Sequence, residues 1–339
     1  MEKINESPPG KVYLVFGPTG VGKSTLCRRV ENKLIEVYHD ETEHNKGIIP
    51  VVTHELISSD NGKFNWKDFY RRMLKIMQEP LIDYKVASDK SMKNHRIPNH
   101  SPNTSPELRE SLENALDYRE TKVVLLDEAQ HLLKVTNAKA IEDQMDAIKS
   151  LANVTGAIFV MFGTYELMQF FNLSGQIGRR SHEIHFPRYN FGKPRERKEF
   201  KSVINTFQLS TPLIEKSDLV QYWEFMYERT IGCVGILKEW LDLCVKEAVN
   251  KNFPRITEEL LEKHAPSATK ILKIAEEATN GEEKLEQAAA EDQFKLRNVL
   301  NMNKQKAEVQ VEVSEKPKKK DVGKRNLNRD VVGVTESGA

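Results

Sequence analysis

Short apolar runs alternate with amphipathic stretches through the first half of the chain, and the alternation stops near Pro194. The runs Lys11–Phe16, Ile48–Thr53, Lys122–Leu126, Ala157–Phe162 and Glu183–Phe186 are bounded by turn residues or charge. That pattern predicts strands buried on both faces of a largely parallel sheet. Helical spacing fills the gaps at Ser24–Tyr38, Asn65–Met77, Pro106–Tyr118 and Ala138–Asn153. The second of these puts Trp66, Phe69, Tyr70, Met73, Leu74 and Met77 on one stripe. Glu79–Ser105 breaks the order; its Ser-, Asn- and Pro-rich centre predicts a long loop. After Pro194 only helical patterns remain, at Arg195–Gln208, Ser217–Thr230, Gly235–Val249 and Thr257–Lys263. The expected organisation is an N-terminal extension (1–10), an α/β core (11–193), a small α-helical lid (194–265), a polar helical extension (266–310) and a basic, flexible tail (311–339).

The 339 residues are 39% apolar and 30% charged, a soluble globular balance. No apolar run reaches the roughly 18–20 residues that span a bilayer, so no membrane association is expected. MEKINESPPGK holds no apolar signal region, and Cys27, Cys233 and Cys244 have no C-x-x-C spacing. A cytoplasmic chain is expected. The net charge of +1 excludes nothing by itself. Between Lys316 and Arg329, however, seven Lys/Arg face the single acid Asp321, which fits a solvated tail or one that touches nucleic acid or an acidic partner.

The chemistry lies in four places. Gly17-Pro18-Thr19-Gly20-Val21-Gly22-Lys23-Ser24 fits G-x-x-x-x-G-K-[ST], directly after a strand and before a helix. Its glycines let successive N–H groups converge on phosphate; Lys23 reaches the β- and γ-phosphates, Ser24 ligates Mg²⁺, and Thr25 follows in the helix. The expected ligands are therefore ATP and Mg²⁺. Val123-Val124-Leu125-Leu126-Asp127-Glu128 brings two carboxylates to a strand end. Asp127 would hold the Mg²⁺ water shell, and Glu128 would act as general base toward the attacking water. Gly163-Thr164 ends the next strand; Thr164 either senses the γ-phosphate and lytic water, caps the following helix, or does both. Arg179 and Arg180 precede the last strand, as solvated surface or as a finger completing a neighbouring subunit's site.

With these elements in order, the chain resembles an AAA+ ATPase. FGPTGVGKST, NWKDFYRRML and SLENALDYRETKVVLLDEAQHLLKV resemble the TnsC/TniB family of transposition regulators, from about Val12 to Glu282. The resemblance implies an α/β AAA+ phosphate-loop core, a parallel sheet flanked by helices, with a helical lid and a flexible C-terminal tail. It implies ATP-bound subunits assembling as rings or filaments on duplex DNA, recruiting a transposase and a target-recognition protein, and disassembling on hydrolysis. It also implies an arginine finger acting across the subunit interface, for which Arg180 is better placed than Arg179. Thr230-Ile231-Gly232-Cys233-Val234-Gly235-Ile236-Leu237 looks like the family's Gly-rich lid stretch, and equally reads as a tight helix start. At the lid's G-x-x-R position stands Gly235, and the nearest base is Lys238. Either Lys238 substitutes or the lid couples weakly to nucleotide.

For DNA the candidate contacts are Lys90, Lys93 and Arg96 in the polar loop, and Arg71, Arg72 and Lys75 on the Trp66 helix. The alternative function is a helicase-loader, initiator-like or signalling ATPase switch.

Overall fold

The structure is a computed structural model that describes residues 9–58, 62–82, 104–135, 138–170, 181–215, 217–300 and 302. Three of its five strands carry almost no polar side chain, and this places them inside the sheet. β1 (Val12–Phe16), β3 (Val123–Asp127) and β4 (Ile158–Gly163) are buried at every position. β2 (Val51–Glu55) and β5 (Ser181–His185) are more polar and form the edges. The order is β2-β3-β4-β1-β5, all parallel. In this register Phe16 pairs with Gly163 and with His185, and Glu55 pairs with Asp127. The carboxyl ends therefore lie together, the side on which open α/β sheets bind ligands.

Helices cover both faces. They are α1 (Lys23–Val37), α2 (His39–His44), α3 (Trp66–Ile76), α4 (Ser105–Tyr118) and α5 (Ala138–Thr155). One face buries Leu14, Phe16, Val124, Leu126 and Phe159 against α3, α4 and α5. The other packs Tyr13, Val15, Val123, Leu125 and Val160 on Cys27 and Leu34 of α1. The apolar stripe of α3 is as the sequence predicts: Phe69, Tyr70, Met73, Leu74 and Met77 are all buried. Asn65 caps that helix by accepting from Asp68 N at 3.2 Å. α4 begins at Ser105, one residue inside the predicted loop, because Glu107 turns back to accept from Thr104 N at 2.8 Å. α2 has no sequence signal, since HDETEH buries none of its residues.

The C-terminal helices are α6 (Pro194–Ser210), α7 (Trp223–Thr230), α8 (Val234–Asn250), α9 (Glu258–His264) and α10 (Ala268–Val299). α6 to α9 form their own core around Phe200, Ile204, Met226, Leu237, Trp240 and Leu261. Tyr222, Trp223, Phe225 and Tyr227 pack against it and so form part of the lid interior. Trp240 is 1% exposed and donates Nε1–H to Leu261 O at 3.0 Å. Truncating a tryptophan so placed costs about 3–5 kcal/mol. The chain divides into two compact units, residues 1–285 and 286–339; the second is described as the end of α10 and a few residues beyond. Lys90, Lys93, Arg96, Arg179, Arg180 and the Lys316–Arg329 segment lie outside the described residues. No described helix is long and apolar enough to cross a membrane.

Glu247 ties α8 to α9. Lys263 Nζ and His264 Nε2 each lie 2.6 Å from its carboxylate, and Lys251 Nζ lies 2.8 Å away. Hydrogen bonds from Lys251, Lys263 and His264 hold its carboxyl down to about 2, against an ordinary value of 4.5. A depressed carboxylate stabilises the fold above its unfolded pKa, and the contribution is lost as pH falls through the folded one. Glu247→Gln should therefore melt below wild type at neutral pH, with the gap closing as pH drops from 4.5 toward about 2. Thermal melts across that range check this; a gap unchanged by acid contradicts it.

Candidate nucleotide site

β1 ends at Phe16 and α1 starts at Lys23, so the phosphate loop occupies the short connection between them. Gly22 turns the chain into α1 with φ of 108°, a conformation that side chains rarely adopt. The helix follows at once, so its unpaired N–H groups and positive dipole end face the loop. Gly17, Pro18 and Val21 are buried, Gly20 is half-buried, Thr19 and Thr25 are exposed, and Ser24 is half-buried.

Lys23 is 8% exposed and folds back over the loop, donating Nζ to Gly17 O at 3.1 Å and Pro18 O at 2.8 Å. Burial pushes its ammonium below the ordinary lysine value, opposed by the charges of Glu128 and then Asp127. The loop's lysine and the two carboxylates thus share one electrostatic environment, although they come from β1 and β3. β4 lies between those strands and carries Gly163-Thr164 at its tip.

Asp127 is buried, and its Oδ1 accepts from Glu128 N at 2.9 Å. Glu128 takes left-handed backbone angles, φ 54° and ψ 38°. A non-glycine residue there costs about 1–3 kcal/mol, and such strain recurs at functional sites. The turn ends the strand and starts a 3-10 helix, Ala129–Leu133. Thr164 Oγ1 accepts from Glu166 N at 3.4 Å, the capping contact its position predicts. Gln130, which the sequence reading did not single out, donates to Glu128 Oε2 and accepts from Thr164 N at 3.3 Å. Its only sequence signal was its place in the DEAQH segment.

A Mg²⁺ ion keeps several waters and takes one or two protein oxygens beside the substrate phosphates. The Ser24 hydroxyl and the Asp127 carboxylate fit that donor set, and the described residues contain no competing His/Cys/Asp/Glu cluster of three.

The lid reaches this loop through backbone. Ile236 N donates to Gly20 O at 3.1 Å, and a Cβ on Gly235 would lie 2.5 Å from that same oxygen. Around the bond, Val21 packs with Ile231, Cys233, Ile236, Ile271 and Ala278. The Gly-rich stretch is thus both a helix start and a docking surface. Lys238, the base nearest the lid's G-x-x-R position, is half-exposed and pairs with Asp242 on its own helix at 2.6 Å. A different arginine braces the joint. Arg188 makes a two-pronged pair with Glu282, 2.9 Å on each prong, and donates to Ile231 O at 3.3 Å. Neither partner stood out in sequence, because they are 94 residues apart.

Residues 9–171 match the family model described as an AAA domain. The fold is that of an AAA+ ATPase. Among solved structures, the ADP form of the Aeropyrum pernix ORC2 protein aligns at TM-score 0.53 and 13% identity, covering 78% of this chain and 64% of its own. The ADPNP–ADP complexes of the same protein align at 0.51 and 12%, with the same coverage. Cdc6p from Pyrobaculum aerophilum aligns at 0.49 and 14%, covering 75% of this chain and 59% of its own. The chain therefore spans less than two thirds of the length of each of these three structures. No curated protein matches it.

Adding a methyl at Gly235 would force the lid off the loop. Gly235→Ala should weaken ATP binding about tenfold while leaving the far-ultraviolet dichroism of the AAA+ core unchanged, an overpacking cost of about 1–3 kcal/mol. Titration with a fluorescent ATP analogue checks this. Wild-type affinity in the variant would mean the joint does not bear on the nucleotide.

Proposed function

We propose that this chain is an ATP-hydrolysing AAA+ assembly switch that works on duplex DNA. The observation that carries the ATPase reading is the buried Lys23 ammonium, held on the loop in the combined field of Glu128 and Asp127. On ATP binding, Lys23 would exchange the Gly17 and Pro18 carbonyls for the β- and γ-phosphates, while the loop N–H groups and the α1 dipole hold the remaining phosphate charge. Ser24 and Asp127 would hold Mg²⁺, which neutralises charge developing on the phosphates. Glu128 would take the proton of the attacking water, and Thr164 would sit beside the γ-phosphate. Arg180, with Arg179 as the alternative, would act from a neighbouring subunit.

The DNA reading is supported by α3. Lys67, Arg71, Arg72 and Lys75 line an open cleft of about 380 Å³ with Asn65 and Asp68. Asp68 offsets one of these cations, pairing with Arg72 at 2.6 Å. A surplus of basic side chains on one helix face suits the phosphate backbone, and binding through it would fall steeply with salt. Lys90, Lys93 and Arg96 would add to it.

The finer role is that of a transposition regulator linking a target-recognition protein to a transposase, supported by the resemblance of the phosphate-loop, Trp66-helix and DEAQH segments. An initiator- or loader-like switch is the second reading. What favours it is the likeness of fold to ORC2, which extends over 78% of this chain.

Glu128→Gln should keep ATP binding and lower turnover about 10²-fold or more, the usual scale for losing a general base. Electron microscopy with duplex DNA and ATP should show rings or filaments that persist in this variant. Reversing Arg71 and Lys75 to Glu should reduce DNA binding and flatten its salt dependence. Wild-type turnover in Glu128→Gln contradicts the base assignment; monodisperse particles under every condition contradict assembly on DNA.

A further inference from the structure

Glu128 leaves β3 at a strained turn, and a glutamate side chain has three rotatable bonds with which to miss its target. Something must hold the carboxylate if it is to meet a water reproducibly. Gln130 is in place to do so. It stands on the 3-10 helix that starts after Glu128, and its amide bridges two strand tips: Nε2 to Glu128 Oε2, Oε1 to Thr164 N at 3.3 Å.

The direction of the amide is fixed by chemistry. A backbone N–H can only donate, so the amide oxygen must face Thr164 and the NH₂ must face the carboxylate. A reversed amide would set two oxygens against each other at Glu128. The strand tip also makes room for it. A Cβ on Gly163 would lie 2.7 Å from Gln130 Oε1, so any other residue at 163 would push the amide away. A hydrogen bond to an ionised carboxylate is stronger than one between neutral groups.

We infer that Gln130 is a positioning residue for Glu128, holding the general base at a fixed distance from Thr164 beside the phosphate loop. The inference rests on the ATPase reading above. Both ends of the Gln130 amide are taken up by Glu128 and Thr164, so its loss should change turnover and leave nucleotide binding alone.

The test is steady-state ATP hydrolysis by the full chain, with ATP affinity measured separately on the same samples. Gln130→Ala should lower kcat about tenfold with KM and ATP affinity within about twofold of wild type, since misplacement by an ångström can cost up to about 10²-fold. Gln130→Met keeps the length and fills the space without donor or acceptor, and should lose as much as the alanine variant. Gln130→Glu keeps the shape but sets a second carboxylate against Glu128, and should lose more than either. If Gln130 served only packing, the methionine variant would recover wild-type kcat, and that result overturns the inference. Glu128→Gln in the same assay separates the two claims. A large loss there with wild-type behaviour in all three Gln130 variants sinks the positioning role alone; no loss there sinks the assignment of Glu128 as base and this inference with it.

Discussion

A phosphate loop displays backbone donors so that it can attract a phosphate, and whatever touches that loop senses what it holds. Among the described residues the backbone of the lid meets it at the bond from Ile236 N to Gly20 O, formed where Gly235 presents no side chain. Everything around that contact favours its staying closed. Val21 is sealed among Ile231, Cys233 and Ile236, and Arg188 is bound to Glu282 on α10 and to the carbonyl of Ile231. Burial works to lower the pKa of the Arg188 guanidinium, but its bonds to Glu282 outweigh that and raise it. Lys238, the base nearest the lid's G-x-x-R position, pairs instead with Asp242 on its own helix.

The acidic side of the site is built differently. There the strand is apolar to its last residue, and the chemistry begins where hydrophobicity ends. Val123 to Leu126 bury completely and carry Asp127 and Glu128 out to the carboxyl edge, beside the Gly163–Thr164 tip of β4. Lys23 feels both carboxylates from the other side. Hydrophobic burial of three adjacent strands thus supplies the precision with which charged groups are aligned.

Much of this was legible in sequence because the fold uses strong local signals. Continuous apolar runs mark β1, β3 and β4, and a 3.6-residue stripe marks α3. The phosphate loop is a short-range motif, and so is Asp127-Glu128. What escaped was whatever depends on pairing across distance. Gln130 is unremarkable until β4 brings Thr164 alongside. Gly235 looked like a departure from the arginine pattern until Gly20 O is seen against it. Arg188 and Glu282 meet only because α10 returns to the end of β5. α2 carries no apolar periodicity to read. Such contacts lie in no local pattern, since no spacing rule links residues that meet only through tertiary packing.

Hydrogen–deuterium exchange with and without ATPγS and Mg²⁺ tests the coupling of loop and lid most directly. Amide protection reports local opening, so bound nucleotide should be visible wherever it tightens the backbone. Bound nucleotide should slow exchange both in residues 17–25 and in residues 231–238, with the Ile236 amide among those affected. Protection confined to the loop would contradict the lid's part in the site, and no change in either segment would contradict nucleotide binding altogether.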